Sequence, residues 1–157
     1  MKEIFEKLPV TKDADILFDT CFLVWCFEHD KIKDLEALCK KKKCAITSFN
    51  AEELIFISKN LSQKAKEGIR HFFHKKSVFL LQIPVSPGNP DAEHSFVKSI
   101  LPKLDTVEHD PSDAVILAAG IKIHANILTR DKHDIFNARL ENFLEENGIK
   151  VENKIIL

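Results

Sequence analysis

Glycine is scarce, with four in 157 residues. Phosphate cradles built on glycine-rich loops, the Walker loop and the GxGxxG turn among them, are thereby excluded, and no GxSxG elbow occurs. A strong basic balance is missing too. The net charge of -1 lacks the usual footprint of a nucleic-acid binder, although lysines bunch locally at Lys40 to Lys43 and at Lys75 and Lys76. No apolar run approaches a membrane span. The start, MKEIFEKLPV, shows neither the apolar run nor the small-residue cleavage site of a signal peptide. A cytoplasmic protein without membrane association is expected. The cysteines, at 21, 26, 39 and 44, lack the two-residue spacing of zinc ribbons. Cys21 and Cys26 fall on one apolar helix, where five residues turn them about 140° apart, so buried reduced thiols are expected rather than ligands of one metal.

What is present is the mix of an ordinary globular domain, 45% apolar and 30% charged. At this length one domain spanning 1–157 is expected. Short apolar strands are predicted at 15–19 (DILFD), 44–47 (CAIT), 77–85 (SVFLLQIPV), 126–129 (NILT) and 149–151. Helices are predicted between them: TCFLVWCFEH, 30–43, 48–59 capped by Ser48, 62–76, 92–101, 110–124 and 138–147, the last closed by Gly148. In the helix at 110–124, DPSD supplies an N-cap acid and a proline at the first helical position. Its apolar body, with Ala118, Ala119 and Gly120, is suited to close approach to a sheet. Strands without alternation, separated by helices, predict a three-layer α/β/α domain around a mostly parallel sheet of about four or five strands.

Open parallel sheets bind ligands beyond the carboxyl ends of their strands. Asp19 ends the first predicted strand, and Glu53 lies in the first turns of the helix after the second. Asp113 opens the helix leading into the fourth strand. Asp131 follows that strand, with Asp134 a short turn further. Carboxylates gathered in one crevice repel one another. Helix N-termini near Glu53 and Asp113 offset part of this, and a cation must offset the rest. All-oxygen ligand sets select Mg²⁺ or Mn²⁺, and such an ion can activate water for attack on a phosphodiester. Taken singly, each acid has an ordinary role: Asp19 as a helix cap, Glu53 as a surface residue, Asp113 as a helix-start charge, Asp131 and Asp134 as turn residues. The conjunction of all of them carries the functional reading.

The pattern resembles the PIN-domain family, its prokaryotic toxin-type members in particular. The matching stretches are FDTCFLV, SFNAEELIF and SDAVILAAGIKIHANILTRDKHDIF, in that order, spread over most of the chain from 18 to 136. The resemblance implies a PIN-like fold and an Mg²⁺- or Mn²⁺-dependent ribonuclease, in many relatives a toxin held inactive by a small antitoxin. It implies Asp19, Glu53, Asp113 and Asp131 as catalytic metal ligands, Asp134 as a further acid, and Thr20 and Thr129 as supporting hydroxyls. Glu53 is preferred to Glu52 because Glu-Leu is the usual pair, and a homodimer is also implied. The chain departs from the pattern at Cys21, where the family frequently has Asn.

Arg70, His71, His74, Lys75 and Lys76 form either a solvated basic face or, with Arg130, a contact for the RNA backbone. Trp25, Phe22 and Phe27 read as core or dimer contact; Phe72 and Phe73 are the better candidates for stacking on bases. Two rival functions stand beside the nuclease. One is a catalytically silent PIN-fold module that binds RNA or protein. The other is a phosphotransfer enzyme with Asp19 as nucleophile, which would need D-x-D where the chain has D-T-C.

Overall fold

Runs of apolar residues too short for a helix, each followed by a helix-capping residue, set the architecture. The computed structural model describes residues 1–106, 110–130 and 138–157. Asp131 and Asp134 lie outside the described residues. The chain begins with α1 (Lys2–Glu6) and the two-residue β1 (Val10–Thr11), then enters β2 (Ile16–Phe18), α2 (Thr20–Glu28) and α3 (Ile32–Lys41). It continues through β3 (Cys44–Thr47), α4 (Ser48–Ser58), α5 (Gln63–His74) and β4 (Phe79–Leu81). After α6 (Pro90–Ile100) and a 3-10 turn (Pro102–Thr106) come α7 (Pro111–Ile123), β5 (Asn126–Leu128), α8 (Ala138–Glu146) and β6 (Val151–Glu152).

The strands form one sheet in the order β1-β4-β3-β2-β5-β6, and every pairing is parallel. Helices cover both faces, as a parallel sheet requires. The fold is the expected three-layer α/β/α, PIN-like, with six strands. The strand beyond the expected four or five is β1, whose hydrogen bonds come from its neighbour β4. Each face has its own core. Leu17 of β2 turns to the side of Val115, Leu117, Leu140 and Leu144. Phe18, next in sequence, turns to the side of Phe22, Leu54, Ile69 and Phe72, as the two-residue period of a strand dictates.

Two caps fix the helices near the site. At α4 the N-cap is Thr47, not Ser48. The Thr47 hydroxyl accepts from the Asn50 backbone N–H at 3.0 Å. Ser48 is drawn instead to the loop after β4, where its hydroxyl accepts from the Ile83 N–H at 2.9 Å. At α7, Asp110 is the N-cap and accepts from the N–H groups of Ser112 and Asp113 at 2.9 and 3.3 Å. Gly120 sits where α7 meets β5. A Cβ there would lie 2.9 Å from the Ile127 side chain and 3.1 Å from the Ala125 carbonyl, so the close approach tolerates only glycine without a shift. Gly148, at φ +82°, ends α8 in the left-handed region that favours glycine.

Candidate functional site

From β2 the chain moves to β3 and β4 on one side of the sheet. It then crosses β2 to reach β5 and β6 on the other. That reversal makes the carboxyl end of β2 the topological switch point, where open α/β sheets leave a crevice. Asp19 stands there, with the start of α4 on one flank and the end of β5 on the other.

Asp19 is the N-cap of α2 and is only 6% exposed. Four donors among the described residues meet its carboxylate. Oδ1 accepts from the Thr20 N–H at 2.8 Å and from Asn50 Nδ2 at 3.3 Å. Oδ2 accepts from the Thr129 hydroxyl at 2.7 Å and from the Cys21 thiol at 3.3 Å. These bonds come from α2, α4 and the end of β5, and together they offset the cost of burying the charge.

Glu53 reaches the same cluster. Its Oε1 accepts from the Thr20 hydroxyl and from Asn50 Nδ2, both at 3.1 Å. The Asn50 amide therefore serves both acids. Its orientation is set from behind, because the Thr47 hydroxyl donates to Asn50 Oδ1 at 2.6 Å and turns the NH₂ toward the carboxylates. Burial raises the Glu53 carboxyl to about 7. The charges of Asp19 and Glu93 push the same way, against the lowering effect of the bonds from Thr20 and Asn50. Glu53 also lines a surface cleft of about 450 Å³ with Glu52, Phe56, Ile57, Pro87 and Gly88, which leaves one side of the cluster open. Glu52 is exposed and turns to the Ser86 hydroxyl at 3.4 Å, so Glu53 is the member of the pair directed into the cluster.

Cys21 is not a core thiol. Besides Asp19, its sulfur lies 3.2 Å from the Thr129 hydroxyl and accepts from the Arg130 N–H at 3.3 Å. Burial, with Asp19 adding to it, pushes the Cys21 thiol up to about 12. It stays protonated near neutrality and acts as a hydrogen-bonding group, not as a thiolate ligand. Cys26 and Cys44 are buried as expected, and none of the four cysteines is in a disulfide.

Asp113 is half-buried in the first turn of α7. Its neighbour Ser112 donates to Glu93 Oε1 at 3.0 Å. The start of α7 is thereby tied to α6. Arg130 borders the site from the other side. Its guanidinium carbon lies 4.1 Å from the Trp25 ring centroid, and its Nη1 donates to the Asn153 carbonyl at 3.2 Å. Trp25 is half-buried and serves as a platform for this cation.

Other expected contacts lie elsewhere. Phe72 and Phe73 are 0% and 1% exposed and pack on Phe27, so they cannot stack on bases. The periodicity of α5 turns them inward while Arg70, His71, His74, Lys75 and Lys76 face solvent. That basic group lies on the approach to the amino end of β4, whereas Asp19 follows the carboxyl end of β2. Lys75 is engaged by Glu36 at 2.8 Å.

The sequence reading singles out neither Asn50 nor Glu93. The three-residue step from Asn50 to Glu53 on one helix face was the available signal for the first. Nothing in the sequence separates Glu93 from an ordinary helix-start acid. Among the described residues, no three His, Cys, Asp or Glu side chains are grouped so as to hold a metal ion. The described donors nonetheless suit a hard cation, since Asp19 and Glu53 offer carboxylate oxygens side by side.

No family model matches the chain, and neither does any curated protein. Among solved structures, the chain is similar to one from the VapBC2 complex of Rickettsia felis bound to a DNA fragment from its promoter. The likeness has a TM-score of 0.57 at 16% identity and covers 88% of this chain and 98% of that one. At that identity the two chains share a fold, and what they share is the parallel α/β architecture on which the carboxylate cluster is built.

Proposed function

We propose that this protein is a metal-dependent endoribonuclease of the PIN type that hydrolyses RNA phosphodiester bonds with water as nucleophile. The observation that carries the reading is the convergence of Asp19 and Glu53, from two different strand ends, on the single amide of Asn50 at the switch point of the sheet. Two carboxylates sharing donors, one buried and the other half-buried with its carboxyl raised to about 7, favour a cation between them. Asp19, Glu53, Asp113 and Asp131 would hold Mg²⁺ or Mn²⁺, with Asp134 beside them. The ion would supply the positive charge that activates water and offsets charge on the phosphodiester.

The remaining roles fall to the chain's own groups. Thr129 and Thr20 orient the two carboxylates. Arg130, held flat on Trp25, presents a fixed guanidinium to the RNA backbone. The resemblance to toxin-type PIN proteins, together with a structural neighbour solved as a VapBC2 complex on promoter DNA, supports a toxin role, a small antitoxin partner and a homodimer. No described helix is long and apolar enough to cross a membrane.

A silent PIN-fold binding module is the rival reading. Cleavage assays separate the two. Wild-type protein with Mn²⁺ should cut labelled single-stranded or structured RNA, chelation should stop it, and Asp19→Asn should lower the rate about 100-fold or more. RNA left intact by the wild type, or cut equally by Asp19→Asn, overturns the proposal.

A further inference from the structure

Three residues after Glu53 on α4 comes Phe56, which helical spacing places on the same face. Phe56 is 68% exposed, and among the described residues it is the one exposed aromatic. A single apolar side chain in water is ordinary. This one lines the cleft of about 450 Å³ that it shares with Glu52, Glu53, Ile57, Pro87 and Gly88. Pro87 and Gly88 come from the loop that leads into α6. The cleft joins the carboxylate cluster through Glu53, which belongs to both. Lys59, at the other end of the helix, holds its Nζ 5.6 Å from the centroid of the Phe56 ring. The surface bordering the cluster therefore offers carboxylates, an aromatic ring among apolar groups, and a cation. Its volume is in the range of sites for small planar ligands.

We propose that this cleft is a nucleobase subsite, in which Phe56 stacks on an unpaired base of single-stranded RNA beside the carboxylate cluster. The inference rests on the nuclease reading of that cluster. Stacking on an aromatic side chain holds any base, because every base has a π face. Glu52, exposed at the rim, accepts from the amino groups that adenine, cytosine and guanine carry and uracil lacks. Lys59 meets the phosphate of the same nucleotide. Only a base withdrawn from a duplex presents its face and edge together, so the substrate is single-stranded or looped RNA. Charge favours a nucleotide over a protein as the occupant. An apolar protein surface laid on the cleft would cover Glu52 and Glu53 without bringing a donor or a cation. A nucleotide brings amino donors to the acidic end and a phosphate to Lys59. Phe56 thereby takes the stacking role that Phe72 and Phe73, packed on Phe27, cannot fill.

The test uses the full chain and a short fluorescein-labelled oligoribonucleotide of adenosine and cytidine, which cannot pair with itself. Anisotropy in EDTA reads binding, and cleavage with Mn²⁺ reads KM and kcat. Phe56→Leu keeps an apolar side chain and removes the π face. It should melt as the wild type does, yet weaken binding and raise KM by about 10-fold, with a smaller effect on kcat. Phe56→Trp, which restores a stacking face, should bind at least as tightly as the wild type. The same oligomer annealed to its complement should bind more weakly, and Phe56→Leu should make no difference to it. An oligomer of uridine should also bind the wild type more weakly; equal binding would remove Glu52 from the subsite. If Phe56→Leu binds and cuts single-stranded RNA as the wild type does, the inference fails and the nuclease reading stands. If Phe56→Leu changes the sedimentation of the protein but not its affinity for RNA, a second copy covers the cleft and the inference likewise fails. Wild-type protein that neither binds nor cuts RNA overturns the reading of the whole site, and this inference with it.

Discussion

Thr129 donates its hydroxyl to Oδ2 of Asp19 across 2.7 Å, although 110 positions separate the two residues in the chain. The bond ties the end of β5 to the end of β2 at the point where the sheet reverses its order. It also holds the carboxylate so that Oδ1 remains for Thr20 and Asn50.

Thr129→Val keeps the shape and removes this donor. A buried bond to a charged acceptor contributes about 1.5–3 kcal/mol. Denaturant unfolding of the metal-free protein should show a loss in that range, and RNA cleavage should fall with it. An unchanged midpoint would mean that Cys21 alone satisfies Oδ2.

Asn50→Ala removes the amide that Asp19 and Glu53 share. Both carboxylates lose a donor, and the Thr47 hydroxyl loses its acceptor. Stability should fall by about 1–3 kcal/mol, and Mn²⁺ affinity by about 10-fold or more, measured by unfolding and by calorimetry. Asn50→Asp should be worse for the metal-free protein, because a third acid replaces the side-chain amide that serves both carboxylates.

Glu53 gives a dependence on pH whose sign follows from its burial. Its carboxyl is raised to about 7 from an ordinary value of 4.5, so the folded protein holds the proton more tightly than the unfolded chain. Metal-free stability should therefore decline as pH rises from about 4.5 to 7 and level off above that. Glu53→Gln should flatten this slope and, at pH 8, stabilise the metal-free protein by about 1–2 kcal/mol once partial exposure is allowed for. Mn²⁺ affinity of the wild type should rise through the same interval, because the ion competes with the proton. Thermal melts across pH, with and without Mn²⁺, measure both effects.

Cys21 should resist alkylation. With its thiol raised to about 12, the reactive thiolate is a very small fraction at pH 8. Iodoacetamide should label Cys21 far more slowly in the native protein than after unfolding, as read by mass spectrometry of the peptide. Rapid native labelling would show that the thiol is not held between Asp19 and Thr129.

Gly120→Ala tests the contact between α7 and β5. Alanine gains about 1 kcal/mol in helix propensity, but its Cβ would sit 2.9 Å from the Ile127 side chain and 3.1 Å from a backbone carbonyl. Overpacking of this kind costs about 1–3 kcal/mol, so net destabilisation is expected. Ile127→Val should recover part of it in the double variant, leaving the cost of the carbonyl contact.

The sequence by itself determined the order of the elements and most of their positions. CAIT and the other short apolar runs could be buried only as parallel strands, and DPSD could only begin a helix. From that order alone Asp19, Glu53 and Asp113 fell at the carboxyl edge of the sheet. It did not reveal β1, because Val10 and Thr11 carry no strand pattern and Val10 is 59% exposed; the strand exists through its pairing with β4. Ser48 and Thr47 are equally good caps locally, and the contact with Ile83 decided between them. Asn50 has the same sequence signature as a solvated helix residue. It became part of the site only when packing removed water from it and brought unlike elements to the same point, because burial and distance across the fold set the energy of a polar group and residue type does not.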